Sequence, residues 1–367
     1  MSALAGKAGL NASDPVARHP ALQPGWIDIP HRELALGDFS LESGETIRDF
    51  RLSYVVHGGP QEITAGCLRA DDNVVLALSA IASTHHRLDF LIGNGRALDP
   101  AQLVVVAVDA IGNGLTTSPS TSVLQPGMGF PRFTIRDMVA SQLALLDHLG
   151  VSRLRAVIGA SMGGMQALQW AVSHGNRIGR LVAMTPMART TAWAAAVNET
   201  SRRALLAEAG DCGGGGGWGA WVPLMQMLSG RTPQQVDAEF GGAAEVIEWI
   251  RQRSHWWQGQ RFAKVDWIYQ SLAYDAHDVG TTPGFGGDTR QAMQSVTLPA
   301  LVLAPPLDLY NPAAAARWAA QAMPNALFVE NPSSWGHQAA SAADASAASF
   351  LNETIGRFLQ GDQAPQA

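Results

Sequence analysis

Val157-Ile158-Gly159-Ala160-Ser161-Met162-Gly163-Gly164-Met165-Gln166-Ala167-Leu168 decides how this chain folds. Leu154 to Ile158 reads as a short buried strand, apolar except for Arg155. From Gly163 onward, Met165, Leu168 and Ala171 recur at helical spacing. Between strand and helix stands a G-x-S-x-G, Gly159 to Gly163, in the strand–turn–helix context of a nucleophile elbow. A serine on so tight a turn holds strained backbone geometry, and side chains two residues either side would collide. Its hydroxyl then stands clear of the sheet, with a helix N-terminus behind it that favours developing negative charge.

Outward from the elbow, continuous apolar runs mark further buried strands at Asn73–Leu78, Leu103–Val108, Ile178–Met184, Ala300–Ala304 and Ala326–Glu330. Two more β-like runs, Glu33–Phe39 and Ile47–Val56, flank the turn Glu42-Ser43-Gly44-Glu45. A helix capped by Thr134 runs to about Leu149 and stops at Gly150; others are read at Ala313–Ala322 and Ala343–Leu359. Strands alternating with helices predict an α/β fold, a mostly parallel sheet with helices on both faces. The alternation stops between Ala188 and Gln291, where seven of the eleven tryptophans fall and Gly213–Gly217 forms a flexible break. The expected organisation is therefore core (1–187, with 1–25 a loose arm), inserted helical lid (188–291) and core again (292–367). The lid tryptophans are read as packing first and pocket lining second.

An elbow serine needs a base, and the base an orienting carboxylate, in the chain order Ser, Asp or Glu, His. Asp308 follows the strand ending at Ala304 through a Pro-Pro loop, and His337 follows the strand ending at Glu330. Both project from strand C-terminal ends, where open α/β sheets bind ligands. Asp278 and Asp288 are the fallback acids. His85, His86, His255 and His277 are read as structural or pocket-lining. The backbone N–H of Met162 and one from the loop near Ile81 are the expected oxyanion donors; one such donor contributes on the order of 2.7–4 kcal/mol in the transition state.

Composition narrows the function. Hydrophobic residues make up 47% of the 367 and charged residues only 15%, which describes a large globular core. A net charge of −6 without a basic run argues against nucleic acid. Two cysteines, Cys67 and Cys212, make no disulfide framework. Neither a signal peptide nor a run of about eighteen apolar residues is present, so a cytoplasmic protein without membrane partners is expected. No H-E-x-x-H, paired-cysteine spacing, dinucleotide fingerprint or Walker loop occurs, so neither metal nor cofactor is expected. Gly112-Asn113-Gly114 reads as a turn.

Gly159–Trp170, Phe130-Pro131-Arg132-Phe133-Thr134-Ile135-Arg136-Asp137-Met138-Val139 and the pair Gly336-His337 together resemble the homoserine O-acetyltransferase family. The resemblance covers nearly the whole chain. It implies an α/β-hydrolase core, a helical lid and a ping-pong acyl-serine mechanism, with Ser161 as nucleophile, Asp308 as acid and His337 as base. It also implies a small acyl pocket, and a homodimer through the lid is a candidate assembly.

The chain departs from that family where the acceptor binds. The family follows the catalytic histidine with an aspartate that engages the substrate amine; here the position is Gln338. Its G-S-T-G-P-S-S stretch is replaced by Gly114-Leu115-Thr116-Thr117-Ser118-Pro119-Ser120, and its lid tyrosine has no counterpart near Trp218-Gly219-Ala220-Trp221. Arg202 aligns with the arginine that receives the homoserine carboxylate, with Arg203 beside it and a surface charge the plainer reading of both. The sequence alone thus favours an esterase cleaving short-chain, chiefly acetyl, esters. The alternative is an O-acyltransferase moving acetyl from acetyl-CoA to a small alcohol or amino acid. A silent binding protein is disfavoured by the complete Ser161, Asp308 and His337.

Overall fold

The structure, a computed structural model, describes residues 19–60, 62–68, 73–207, 217–258 and 262–361. Residues 1–18 of the expected arm, Cys212 and Gly213–Gly216 lie outside the described residues.

Eight strands form one sheet: β1 (Arg32–Ser40), β2 (Thr46–His57), β3 (Val74–Leu78), β4 (Val104–Val108), β5 (Ala156–Ala160), β6 (Leu181–Met184), β7 (Ala300–Ala304) and β8 (Ala326–Glu330). Their order across the sheet is β1-β2-β4-β3-β5-β6-β7-β8. The β1–β2 hairpin is antiparallel, β2 runs antiparallel to β4, and every pair from β4 to β8 is parallel. A parallel sheet covered on both faces needs apolar side chains on both, hence the unbroken runs VVLAL and VVVAV. Leu76, Val106 and Val157 point to one core with Met138, Leu145 and Leu168. Val75, Val105 and Ile158 point to the other with Leu351, Ile355 and Leu359.

Helix α1 (Ile135–Leu149) begins with a capping box: the Asp137 N–H donates to the Thr134 hydroxyl, and the Thr134 N–H donates to the Asp137 carboxylate. It ends at Gly150 in the left-handed conformation. Helix α2 (Met162–His174) follows the elbow and is buried over its first ten residues. Between β6 and β7 the chain runs through α3 (Ala192–Leu206), α4 (Trp218–Met225), α5 (Pro233–Glu239), α6 (Ala243–Gln258), α7 (Lys264–Asp275) and α8 (Thr289–Gln294). Trp218, Trp221, Trp257 and Trp267 pack there ring against ring, with centroids 5.1–5.7 Å apart. Helices α9 (Ala313–Ala322) and α10 (Ala345–Gln360) complete the C-terminal part. No helix among the described residues is long and apolar enough to cross a membrane.

Two strand ends differ from expectation. β5 covers Ala156–Ala160 rather than 154–158, because Leu154 makes only an isolated bridge to Ile178 while Val157 and its successors pair on both sides. For the same reason β6 starts at Leu181. The His19 and Trp26 rings lie against the His86 ring, and the Ile27 N–H donates to Asp89 Oδ2 at 2.8 Å.

The turn at Ser161 tolerates nothing larger than glycine beside it. A Cβ on Gly159 would lie 2.1 Å from the Gly163 carbonyl oxygen, and one on Gly163 would lie 2.6 Å from that of Leu78. Gly159→Ala should therefore destabilise the protein by about 3 kcal/mol or more, since the clashing atoms are backbone. Urea denaturation measures this, and a change within about 0.5 kcal/mol would contradict the packing described.

Candidate active site

The site is assembled at the C-terminal ends of β3, β5, β7 and β8. Ser161 leaves β5 with φ 57° and ψ −123°, left-handed geometry rare outside glycine and held here by the surrounding packing. Its N–H donates to the Met184 carbonyl at 2.9 Å, which ties the turn to β6. The hydroxyl lies 2.8 Å from His337 Nε2, and His337 Nδ1 lies 2.7 Å from Asp308 Oδ2. Asp308 Oδ1 accepts the backbone N–H groups of Tyr310 and Asn311 at 2.9 and 2.8 Å. These two donors satisfy the outer carboxylate oxygen and leave the inner one for imidazole. All three side chains are buried. Such a chain can move a proton from hydroxyl to imidazole while the carboxylate fixes the tautomer and offsets the imidazolium charge.

Two phenols close the back of this arrangement. The Tyr310 ring stands 5.1 Å from the His337 ring, and its hydroxyl donates to Asn198 Oδ1. Tyr274 donates to Asn311 Oδ1, and Asn311 in turn donates to the Thr185 carbonyl. Burial pushes both phenols above their ordinary range, so both stay protonated.

Met162 opens α2, so its N–H has no acceptor within the helix. In the turn after β3, the Ala80 N–H donates to Ser83 Oγ and the Ala82 N–H to Gln270 Oε1. The Ile81 N–H between them has no acceptor among the described residues. Ala82 takes φ 54°, which shapes this turn.

The other expected residues separate. Gln338 donates to the Ser229 carbonyl at 3.1 Å and its Oε1 faces the Ser341 hydroxyl at 3.3 Å. Arg202 is held by Asp275 at 2.7 Å and Glu199 at 3.1 Å, and it donates to Ser271. Its charge is thus already paired, and it is not in the wall of the cavity beside the site. Asp278 and Asp288 cap short helices, and it is Asp308 that meets His337: Asp278 Oδ1 accepts the Gly280 N–H and the Thr289 hydroxyl.

That cavity measures about 710 Å³ and is not lined by Ser161, Asp308 or His337 themselves. Ala82 and Gln338, the sequence neighbours of Ile81 and His337, are part of its wall, as are Leu115, Trp257, Phe262 and Arg87. Sequence reading did not single out Arg87. Among the described residues its guanidinium has no carboxylate, hydrogen-bond or ring partner, and burial lowers its pKa to about 10, so it remains charged at neutral pH. On the same side, His19, His31, His85 and His86 cluster around Asp109 and Asp89, and burial lowers His31 to about 4.

The family described as alpha/beta hydrolase fold matches residues 73–207. A homoserine O-acetyltransferase of Trichormus variabilis is 31% identical over 322 residues, spanning 82% of this chain and 87% of that protein. One from Thermus thermophilus is 36% identical over 350 residues, spanning 85% and 86%. The chain belongs to the homoserine O-acetyltransferase-like family of α/β hydrolases. A crystal structure of an acetylester hydrolase from Corynebacterium glutamicum superposes with a TM-score of 0.78, covering 90% of this chain and 96% of that one. At 20% identity that likeness speaks for the fold.

His277 is buried and faces the Met187 carbonyl through Nε2, and burial lowers its pKa to about 3. Because the unfolded chain binds this proton near 6.5, the stability that neutral His277 contributes is complete above that pH. It is lost as pH falls from about 6.5 toward 3. His277→Gln should flatten the fall in Tm between pH 7 and pH 4. Parallel Tm–pH curves for the two proteins would count against the buried neutral imidazole.

Proposed function

We propose that this protein is a serine acyltransferase that moves a short acyl group, through an acyl-serine at Ser161, to a small hydroxyl-bearing acceptor. The observation that carries the acceptor reading is Arg87, a half-buried guanidinium in the wall of the cavity with no counter-charge among the described residues. A small neutral ester would leave that charge unpaired. A donor or acceptor bearing a carboxylate or phosphate would pair it, for about 1.5–3 kcal/mol. The names of the relatives at 31 and 36% identity support the same reading, with acetyl as the acyl group.

The steps follow from the geometry. His337 takes the Ser161 proton as Oγ attacks the donor carbonyl, and the oxyanion forms against the Met162 and Ile81 amides. The leaving alcohol or thiol takes the proton from His337 as the acyl-serine forms. The acceptor hydroxyl then gives its proton to His337 and attacks the acyl-serine, and Ser161 recovers its proton as the new ester leaves. Asp308 orients the imidazole throughout.

Hydrolysis is the second reading, and Gln338 favours it. With an amide tied to Ser229 and Ser341 where the family carries a carboxylate, an acceptor ammonium has no negative partner at that position. Water then resolves the acyl-enzyme.

Acetyl-CoA with homoserine, and separately a neutral acetate ester with water, should be compared in the wild type, Ser161→Ala, Arg87→Ala and Gln338→Asp. Ser161→Ala is expected to abolish both reactions. Arg87→Ala should lower kcat/KM for the charged pair about 10–100-fold and leave the neutral ester within a few-fold. Gln338→Asp should raise the ratio of transfer to hydrolysis. Acetate release indifferent to any acceptor, together with no Arg87→Ala effect, would establish the esterase instead.

A further inference from the structure

Three histidines far apart in sequence meet beside the turn that carries Ile81. His19 and His31 come from the segment before and at the start of the sheet, and His85 opens a short 3-10 helix, His85–Leu91. One ring nitrogen from each lies within 4.8 Å of those of the other two. The His85 side chain is completely buried. Its Nδ1 faces Asp109 Oδ2 at 3.1 Å, so Nδ1 carries the proton and Nε2 presents its lone pair; Nε2 is buried with no partner. Asp109 is fixed in turn by the Ser53 hydroxyl, the Asn113 amide and the His85 N–H, each at 2.8 Å. A carboxylate holding one imidazole nitrogen so that the other is free is the arrangement that orients histidine ligands on a metal. Alongside, His86 Nδ1 lies 2.6 Å from Asp89, and His86 Nε2 is hydrogen-bonded to His19 Nε2 at 2.9 Å.

An orphaned buried nitrogen costs free energy that a hydrogen bond or a metal bond would recover. Packing alone explains why the rings stack. It does not explain why a fully buried carboxylate, Asp109, is spent on aligning an imidazole whose far nitrogen is left without a partner. We propose that His19, His31 and His85 bind one divalent transition-metal ion of the zinc type. Neutral imidazoles suit such an ion, and tetrahedral bonds of about 2.0–2.1 Å require the ring nitrogens, within 4.8 Å of one another here, to draw together to about 3.3–3.4 Å. Three ligands leave a fourth position for water or a small anion. The ion would tie the segment 19–31 to the helix that carries Arg87, and thereby hold one wall of the cavity. This site stands independently of the acyl-transfer reading.

The test uses untagged full-length protein, stripped by chelator and dialysed, then titrated with Zn²⁺ and separately with Co²⁺. One equivalent of zinc per chain, a Co²⁺ visible spectrum of low-symmetry nitrogen coordination, and a rise in Tm are expected. His19→Ala and His31→Ala, which leave Ser161 and the buried Asp109 untouched, should each lose stoichiometric binding and the Tm rise. Asp109→Asn should weaken binding roughly 10–100-fold. His255→Ala, in α6, should change nothing. Substoichiometric zinc in the wild type, or binding unaltered in both His19→Ala and His31→Ala, would overturn the proposal.

Discussion

Everything in this molecule depends on one close approach, that of the chain at Ser161 to the strands around it. The serine adopts a left-handed backbone conformation, and its helix starts so near β3 and β5 that Gly159 and Gly163 have no room for a side chain. The sheet supplies the constraint. β5 is paired on both edges, its two faces are filled by separate apolar cores, and the Ser161 amide is tied to Met184. Strain of this kind persists only where the surroundings over-determine it. The result is a hydroxyl aimed at an imidazole that arrives from β8, itself aligned by a carboxylate that arrives from β7.

Around this fixed centre, charge placement separates one chemistry from another. The first half-reaction needs only Ser161, His337, Asp308 and two amides, and transferases and hydrolases share it. The second half depends on what the cavity wall offers an incoming acceptor. Here Arg202 is neutralised by Asp275 and Glu199, and Gln338 spends its amide on Ser229, so the two positions indicated by family resemblance offer no free charge. Arg87, from a different element, has no counter-charge among the described residues.

Much of this was legible in the sequence because it was local or ordered along the chain. Continuous apolar runs identify strands buried on both faces, Thr134 and Gly150 bracket a helix, and the order Ser161, Asp308, His337 follows from strand ends. The strand bounds were less legible: Leu154 is as apolar as Val157, and only pairing with β3 and β6 separates them. The amides of Tyr310 and Asn311 that hold Asp308 carry no side-chain signature at all. Arg87 looks like any surface arginine until the fold leaves it half-buried with no counter-charge among the described residues. His19, His31 and His85 have no metal-binding spacing, since three distant segments must meet before the cluster exists. Nor does the sequence show that His19, Trp26 and Ile27 contact His86 and Asp89.

The central claim is that Ser161 becomes acylated and that an acceptor, rather than water alone, empties it. Acid-quenched intact-protein mass spectrometry, with peptide mapping, tests it most directly. After brief mixing with acetyl-CoA, one acetyl group should reside on the peptide containing Ser161. It should disappear faster as a hydroxyl-bearing amino acid is added. An unlabelled Ser161 under conditions of measured turnover, or an acetyl group whose lifetime no acceptor shortens, would contradict the account.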